Sequence, residues 1–514
     1  MDFGARWETI LRMKIFGLAS ANARPFAIGI LLVACLAAVL SVSPSCWGAA
    51  VTSDIQHPQP APSGCADGNG SVSRRPHYRL DRSEEDWSAL CNRAASADFW
   101  DPAKYIRVGK SESFLSFGGE LRSTYEMYQQ YNWGSGPQDD NGYSLNRLMG
   151  HADAHLGNHV RVFAELQSGL PFGRNGGPRP VVDRDELDVS QLFFELRLSN
   201  QTTHFAIRAG RQELNYGDRT LVSTRELNVR RPFDGINLRA RSDRWTVDAF
   251  AVRPVKTQQG ILDDASDANQ TFWGIWASRT KSLPTPLAQL DVYCLGLSRR
   301  SARYDQGTDV ERRYTLGFNL NEVAGAWSFG QEADLQLGTF GSDNLVAWKV
   351  AQEVTYSISE TRLHPVFSIQ AAVSSGDTNQ ADPRLQTFYP LFPKGVYYGY
   401  MLFTSGSLNT VVVHPGVSLQ LSPTVSVTGE WFAFWRTSAE DGLYSQSGAL
   451  LRGGQTTGSG YVGAESDIGV TWHVDSHTTL QFLAAYYDVG SYLRQINPPG
   501  KDAAYFSATA AYKF

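Results

Sequence analysis

Apolar and polar side chains alternate along most of this chain from residue 113 onward. The stretch GGELRSTYEM (118–127) has Leu121 and Tyr125 in one alternating set and Glu120 and Arg122 in the other. Because successive side chains of a strand point to opposite faces, the stretch predicts a strand with one apolar and one charged face. The same pattern predicts eighteen strands, with approximate bounds 114–127, 145–156, 159–169, 189–198, 203–212, 234–241, 244–253, 271–279, 288–297, 311–320, 325–338, 345–357, 365–374, 409–421, 424–436, 461–474, 477–488 and 503–514.

The connections between these predicted strands alternate in length. Short ones such as Gly157-Asn158 and Asp475-Ser476 separate long ones, although the gap at 339–344 is brief. Outer-membrane barrels have tight periplasmic turns on one rim and long extracellular loops on the other. The sequence therefore predicts an all-β fold, a transmembrane antiparallel β-barrel of about 18 strands with its apolar faces toward lipid and both ends in the periplasm. The long connections are 128–144, 170–188, 213–233, 254–270, 375–408 and 437–460.

The residues before the barrel predict two further regions. Residues 26–42 form an apolar run that follows basic residues and precedes small ones, which is typical of a secretory signal peptide over residues 1–50. A membrane-anchoring helix is the alternative for this run. Residues 51–112 predict a linker and a short periplasmic segment, because they are rich in Pro and Gly at first and show no sustained alternation. Residues 113–514 then form the barrel, and the expected location is the outer membrane of a Gram-negative bacterium.

The cysteines leave two alternatives open. Cys65 and Cys91 either form a disulfide, as an oxidising periplasm would permit, or remain unpaired. Cys294 stands alone within a predicted strand. No spacing of cysteines suits a metal site.

Charge composition excludes one class of partner and favours another. Removal of residues 1–50 leaves 42 basic and 49 acidic residues, so a nucleic-acid partner is not expected. The basic residues of the whole chain are 37 Arg and 9 Lys. Arginine presents a planar fork that pairs with carboxylates through two hydrogen bonds, whereas lysine is a hydrated point charge. An arginine-rich lumen would suit carboxylated solutes, or internal charge ladders along the wall.

No motif for catalysis appears. The chain has no G-x-S-x-G, H-E-x-x-H or phosphate-loop pattern, so we predict no catalytic residue, no metal and no cofactor, and no enzyme. The acids of VVDRDELD (181–188) have no partner histidine. An outer-membrane enzyme at the barrel rim therefore remains only a minor hypothesis.

Three stretches resemble a known family. They are YRLDRSEEDWSAL near residue 80, AIRAGRQELNYGDRTLV (206–222) and RRPFDGINLRAR (230–241). They resemble the alginate-export family of outer-membrane β-barrel porins, and the resemblance is densest over residues 78–250. It implies an eighteen-stranded barrel whose arginine-lined constriction passes an anionic polyuronate. The resemblance and the inward face of the first predicted strand together give six candidate substrate- and pore-lining residues: Arg122, Arg147, Arg208, Arg211, Arg239 and Arg241.

The leading hypothesis is an outer-membrane porin or exporter for anionic polysaccharide, such as an alginate-like polyuronate, or for related carboxylated solutes. A general porin for other substrates, with Arg–acid pairs that only brace the wall, is the alternative. The expected partners are outer-membrane lipid and the anionic saccharide or small carboxylated solute, and periplasmic export components remain open. The aromatic, Pro-containing segment 375–408 is expected to fold into or over the pore mouth. The direction of transport and the oligomeric state stay open.

Overall fold

The computed structural model describes residues 76–91, 98–109, 112–179, 181–200, 202–279, 289–395, 398–401, 406–454 and 457–514. The predicted signal peptide, the first part of the predicted linker and Cys65 lie outside these residues. Cys91 is disulfide-bonded, and Cys294 is a free, exposed cysteine. The pairing of Cys91 with Cys65 therefore stays a prediction.

The eighteen predicted strands are all present. We number them in chain order, and their bounds are β1 Phe114–Gln129, β2 Tyr143–Leu156, β3 Val160–Phe172, β4 Asp185–Ser199, β5 Thr203–Gln212, β6 Phe233–Ser242, β7 Trp245–Lys256, β8 Gln270–Arg279, β9 Gln289–Tyr304, β10 Gly307–Ala324, β11 Trp327–Phe340, β12 Asp343–Ser357, β13 Val366–Ser374, β14 Thr410–Ser422, β15 Val425–Arg436, β16 Tyr461–His473, β17 Thr478–Val489 and β18 Ala503–Lys513.

These strands form one closed sheet. Each pairs antiparallel with the next, and β18 returns to pair with β1 from Glu120↔Lys513 to Gln129↔Ala504. Closure leaves no unpaired sheet edge, which is what a β-structure in lipid requires. The predicted fold class, a closed antiparallel barrel of eighteen strands, is confirmed.

Alternate side chains of the strands lie on opposite sides of this wall. In β1, Glu120 is 3% exposed whereas its neighbour Leu121 is 48% exposed. Large exposed hydrophobic side chains recur around the barrel, among them Leu148, Leu192, Ile207, Leu238, Ile275, Leu316, Val346, Ile369, Ile468 and Phe482. The outer face is therefore apolar and the charged residues point inward, as the alternation predicts. Among the described residues, no helix is long and apolar enough to cross a membrane.

The two rims differ as expected, except at two short connections. We call the rim that carries the connections 157–159, 243–244, 325–326, 423–424 and 474–477 the turn side, and the opposite rim the loop side. The two short loop-side connections are 341–342, where the sequence predicts a brief gap, and 305–306. On the loop side, β9 and β10 extend beyond their predicted ends and leave only residues 305–306 between them. Arg299 and Tyr304 both bind Glu311 across this hairpin. The apolar and polar alternation fades there, so the sequence pattern underestimated both strands.

Two of the loop-side connections fold into the lumen. In the connection 213–232, Thr220 donates to Glu332 of β11 at 2.8 Å, and the carbonyl oxygen of Leu227 accepts from Arg147 of β2 at 2.7 Å. Because β2 and β11 lie on opposite sides of an eighteen-stranded barrel, this connection crosses the lumen. The described part of the connection 375–409 also enters the lumen, as expected, and its Phe388, Leu391 and Phe392 are buried in a cluster with inward aromatic residues of β6–β9 and β11.

The segment before β1 packs into the turn side of the barrel. It contains two short 3₁₀ turns, Arg82–Glu84 and Ser88–Cys91, a helical turn at Asp101–Lys104 and a two-residue strand at Ile106–Arg107. Arg82 donates to the carbonyl oxygens of Gly119 and Phe514, at 2.8 and 3.0 Å. Arg161 of β3 donates to the Ser83 carbonyl at 2.7 Å. The sequence predicted a separate periplasmic segment here, because a segment without alternation gives no sign that it lines a lumen.

Candidate functional site

A cavity of about 1300 Å³ occupies the lumen between the turn side and the two inserted connections. Its turn-side end is lined by the segment 473–477 and by residues of the N-terminal segment from His77 to Glu84. Its far end is lined by residues 213–219 and by Lys394, Gly395, Gly399 and Tyr400. This cavity is the candidate functional site, because it is a large space inside the described part of the barrel and many charged side chains line it.

At the far end of the cavity the two inserted connections pair with each other, and we call this place, residues 219–223 and 392–394, the neck. Ser223 N donates to the Phe392 carbonyl at 2.8 Å, and Phe392 N donates to the Leu221 carbonyl at 2.8 Å. Lys394 N then donates to the Arg219 carbonyl at 3.0 Å. The bridge between Val222 and Phe392 is parallel, and both Arg219 and Lys394 line the cavity here. Burial and then the nearby Arg219 lower the pKa of Lys394.

Five Arg and Lys side chains line the cavity: Arg79, Arg219, Arg239, Lys394 and Lys513. Among the described residues, the side chains of Arg79 and Lys513 make no hydrogen bond or ion pair within the protein. Arg219 is 3.9 Å from Glu226, a distance that allows only a weak contact. The side chains of Arg79 and Lys513 are therefore available to a solute in the lumen.

Eight Asp and Glu side chains also line the cavity, and several of them already have cationic or histidine partners. Glu84 lies 2.9 Å from Arg239 and 3.6 Å from Arg208. Although burial acts to raise it, these two guanidinium groups hold the pKa of Glu84 well below its usual range. Glu213 is paired with Arg230 at 3.2 Å. Protein cations thus offset part of the negative charge of the lining.

Of the six candidate arginines, Arg239 lines the cavity. It also binds Asp248 of β7 through two hydrogen bonds of 2.8 and 3.1 Å. Arg208 shares Glu84 with it and lies over the Phe193 ring at 4.0 Å. The side chain of Arg241, two positions from Arg239, forms no hydrogen bond or ion pair among the described residues.

The other three candidates hold structure at separate places. Arg122 and Arg147 both donate to the Leu227 carbonyl, and Arg147 also pairs with Glu120. Arg211 lies near the loop side and binds Asp188 and Asp234. The structure therefore gathers the six into three groups, Arg122 with Arg147, Arg208 with Arg239 and Arg241, and Arg211 alone.

Four cavity cations were not among the candidates, for different reasons. Arg219 and Lys394 belong to long connections, and Arg79 belongs to the N-terminal segment, where no alternation assigns a side chain to a face. Lys513 alternates with Tyr512 and Phe514, so the pattern of the last strand could have identified it as inward.

Comparisons with known proteins agree with this geometry. A family model described as alginate export matches residues 113–505. No curated protein matches the chain. Among solved structures, OccK3 (OpdO) of Pseudomonas aeruginosa is similar, with a TM-score of 0.52 and 10% identity over 78% of this chain and 95% of its own. OpdK of Pseudomonas aeruginosa with vanillate has a TM-score of 0.52 and 11% identity, over 78% of this chain and 98% of its own. OccAB4 of Acinetobacter baumannii has a TM-score of 0.51 and 11% identity, over 77% of this chain and 97% of its own.

Proposed function

The chain belongs to the alginate-export family and is an outer-membrane porin, and we propose that its lumen conducts anionic saccharides, such as alginate-like polyuronates, or small carboxylated solutes. The observation that carries this proposal is the cavity of about 1300 Å³ lined by five Arg and Lys side chains. Two of them, Arg79 and Lys513, make no hydrogen bond or ion pair within the described protein.

A carboxylate that enters from the turn side would meet these cations in sequence. Arg79, Arg239 and Lys513 line the turn-side half of the cavity together with residues of the N-terminal segment and β18, and Arg219 and Lys394 stand at the neck. Charge-assisted hydrogen bonds from such groups replace part of the water around a carboxylate. Each contact is exposed to water and so contributes about 1 kcal/mol or less, which allows the solute to leave again.

The six arginines predicted from the sequence have two roles in this proposal. Arg239 contributes to the cationic wall, with Arg208 holding Glu84 beside it. Arg241 lies two positions from Arg239 on β6 but is not part of the cavity lining. Arg122 and Arg147 act indirectly, because they hold the Leu227 carbonyl and so fix the connection that carries Arg219. Arg211 lies outside the cavity lining and braces the loop side.

A general porin is the second candidate, and the balance of charge in the lining favours it. The cavity is lined by eight Asp and Glu residues against five Arg and Lys residues. If those carboxylates dominated the field, the lumen would pass cations or neutral solutes at least as well as anions.

Block of single channels distinguishes the two candidates. In planar bilayers, oligomeric uronate added to one side should interrupt the current at lower concentration than a neutral dextran of the same length, with vanillate as a small carboxylate in a parallel series. Replacement of the two neck cations in R219E/K394E should raise the concentration needed for half block by at least about tenfold, because two contacts of up to about 1 kcal/mol each are lost and become repulsive.

The matched control is R384E, since Arg384 is an exposed loop arginine whose one ion pair among the described residues is with Asp382. It should leave the block unchanged. Equal block by uronate and dextran in the unmodified protein would contradict the anionic-solute proposal and favour a general porin.

A further inference from the structure

An acidic cluster lies at the loop side, away from the cavity. One carboxylate oxygen from each of Asp188, Asp263 and Asp264 lies within 4.8 Å of the others. The connection between β7 and β8 is folded onto the start of β4 there, because Leu187 N donates to the Gly260 carbonyl at 3.3 Å and Asp264 N donates to Asp188 Oδ2 at 2.9 Å. Backbone contacts thus bring the three carboxylates together.

Protein cations do not balance this cluster. Arg211 Nη1 is 3.3 Å from Asp188 Oδ1, but its Nε atom binds Asp234 at 2.8 Å. Within the described part of the chain, no Lys, Arg or His forms an ion pair with Asp263 or Asp264. Carboxylates this close repel one another strongly when all are ionised. The arrangement therefore lacks at least one positive charge.

A second observation points to a ligand at this place. Asp185, which is 0% exposed, has an Oδ1 atom with no hydrogen-bond partner. Its other oxygen accepts from Gln167 at 3.3 Å, and Gln167 is the register partner of Asp188, so Asp185 lies beside the cluster. The charges that act most strongly on Asp185 are those of Asp264, Asp188 and Asp263. The Oδ2 atom of Asp264 is also buried without a partner.

We propose that Asp188, Asp263 and Asp264 bind one divalent cation, with Asp185 as a further ligand or a negative charge directly behind it. A ligand set made only of oxygen atoms favours a hard ion, and carboxylates from a strand and a loop suit Ca²⁺, which accepts six to eight oxygens in variable geometry. Asp263 is exposed, so the ion could enter from solvent and keep water in its remaining positions.

The bound ion would fasten a loop to the barrel wall. Asp263 and Asp264 belong to the connection 257–269, whereas Asp185 and Asp188 belong to β4. An ion shared between them links the connection to the strand, and it also lowers the repulsion that opposes this folding. The site is independent of the solute proposed for the lumen.

Calorimetric titration with CaCl₂ tests the site directly. The full-length protein in detergent is freed of metal with EDTA and then titrated, and we expect one Ca²⁺ per chain. D263N/D264N should bind at least about tenfold more weakly, since loss of groups that hold a metal lowers affinity by 10–100-fold even when they are not direct ligands. D488N/D502N is the matched control, because Asp488 and Asp502 form another loop-side acidic pair, beside Arg494.

Hydrogen exchange gives a second readout that survives a folding defect in the double variant. Ca²⁺ should slow exchange of residues 257–264 in the unmodified protein, and the single exposed substitution D263N should reduce this protection. The proposal is overturned if the unmodified protein takes up no Ca²⁺ up to about 10 mM, above the range of weak extracellular sites. It is equally overturned if folded D263N/D264N binds Ca²⁺ as tightly as the unmodified protein.

Discussion

Arg239 shows how one residue can both brace the wall and line the lumen. Its Nε and Nη2 atoms bind Asp248 of β7, and its Nη1 atom binds Glu84 of the N-terminal segment at 2.9 Å. Alternation with Ile236 and Leu238 predicted its inward face correctly. The partner Glu84 could not be predicted, because it lies 155 residues earlier in a segment that has no periodic pattern.

Removal of the Arg239 charge should loosen the N-terminal segment. In R239Q, Glu84 keeps its longer contact to Arg208 but loses the contact to Arg239. Docking of residues 78–90 should therefore weaken by about 1–2 kcal/mol. This is near the lower end of the range for charged hydrogen bonds, because the pair is part-exposed. Hydrogen exchange of that segment should therefore quicken about five- to thirtyfold. R384Q is the control. Unchanged exchange in R239Q would show that Glu84 does not hold the segment.

At the scale of elements, the strands and the insertion of 375–408 could be predicted, whereas the crossing made by 213–232 could not. A strand in lipid must present an apolar residue at every second position, and this constraint made all eighteen recognisable. Connections inside a lumen face protein on all sides and carry no such period. The aromatic and Pro content of 375–408 indicated packing, but the crossing made by 213–232 depends on distant strands, as with Thr220 and Glu332.

The loop-side connection 437–460 helps to hold the inserted segment 375–409 through one buried carboxylate. Asp441 accepts from Thr387 Oγ1 at 2.6 Å, from Asp377 N at 2.8 Å and from Tyr444 OH at 2.7 Å. Burial raises the pKa of Asp441 to about 6, although these hydrogen bonds oppose the shift. Ionisation of Asp441 therefore costs more in the docked state than in the open one.

Docking of the inserted segment should consequently strengthen on mild acidification. Because the pKa of Asp441 is raised, the free-energy cost of ionising it in the docked state is present in full above pH 6. This cost falls as the pH drops from 6 toward about 4, near the ordinary pKa of an aspartate. Between pH 7.5 and pH 5 the gain should be about 1–2 kcal/mol. Hydrogen exchange of residues 385–395, corrected for the intrinsic effect of pH, should show greater protection at pH 5. The variant D441N should lose this pH dependence. If the protection of residues 385–395 still changed with pH in D441N, a group other than Asp441 would be responsible.

At the scale of the whole molecule, the barrel encloses the lumen, and the inserted segments line part of the cavity inside it. Eighteen strands enclose a lumen wide enough for an aqueous channel. The N-terminal segment and the two inserted connections reduce it to a cavity of about 1300 Å³ whose neck carries Arg219 and Lys394. The family resemblance and the alternation predicted the barrel, but these neck residues are visible only once the connections are folded.

Solute flux into proteoliposomes tests the central claim most directly. Glucuronate and glucose have nearly the same size and differ by one carboxylate, so their relative influx reports the effect of charge. A lumen that favours carboxylated saccharides should admit glucuronate faster than glucose at low ionic strength, and added salt should reduce the difference by screening. Equal influx, or faster influx of glucose, would contradict an anion-conducting lumen and leave a general porin.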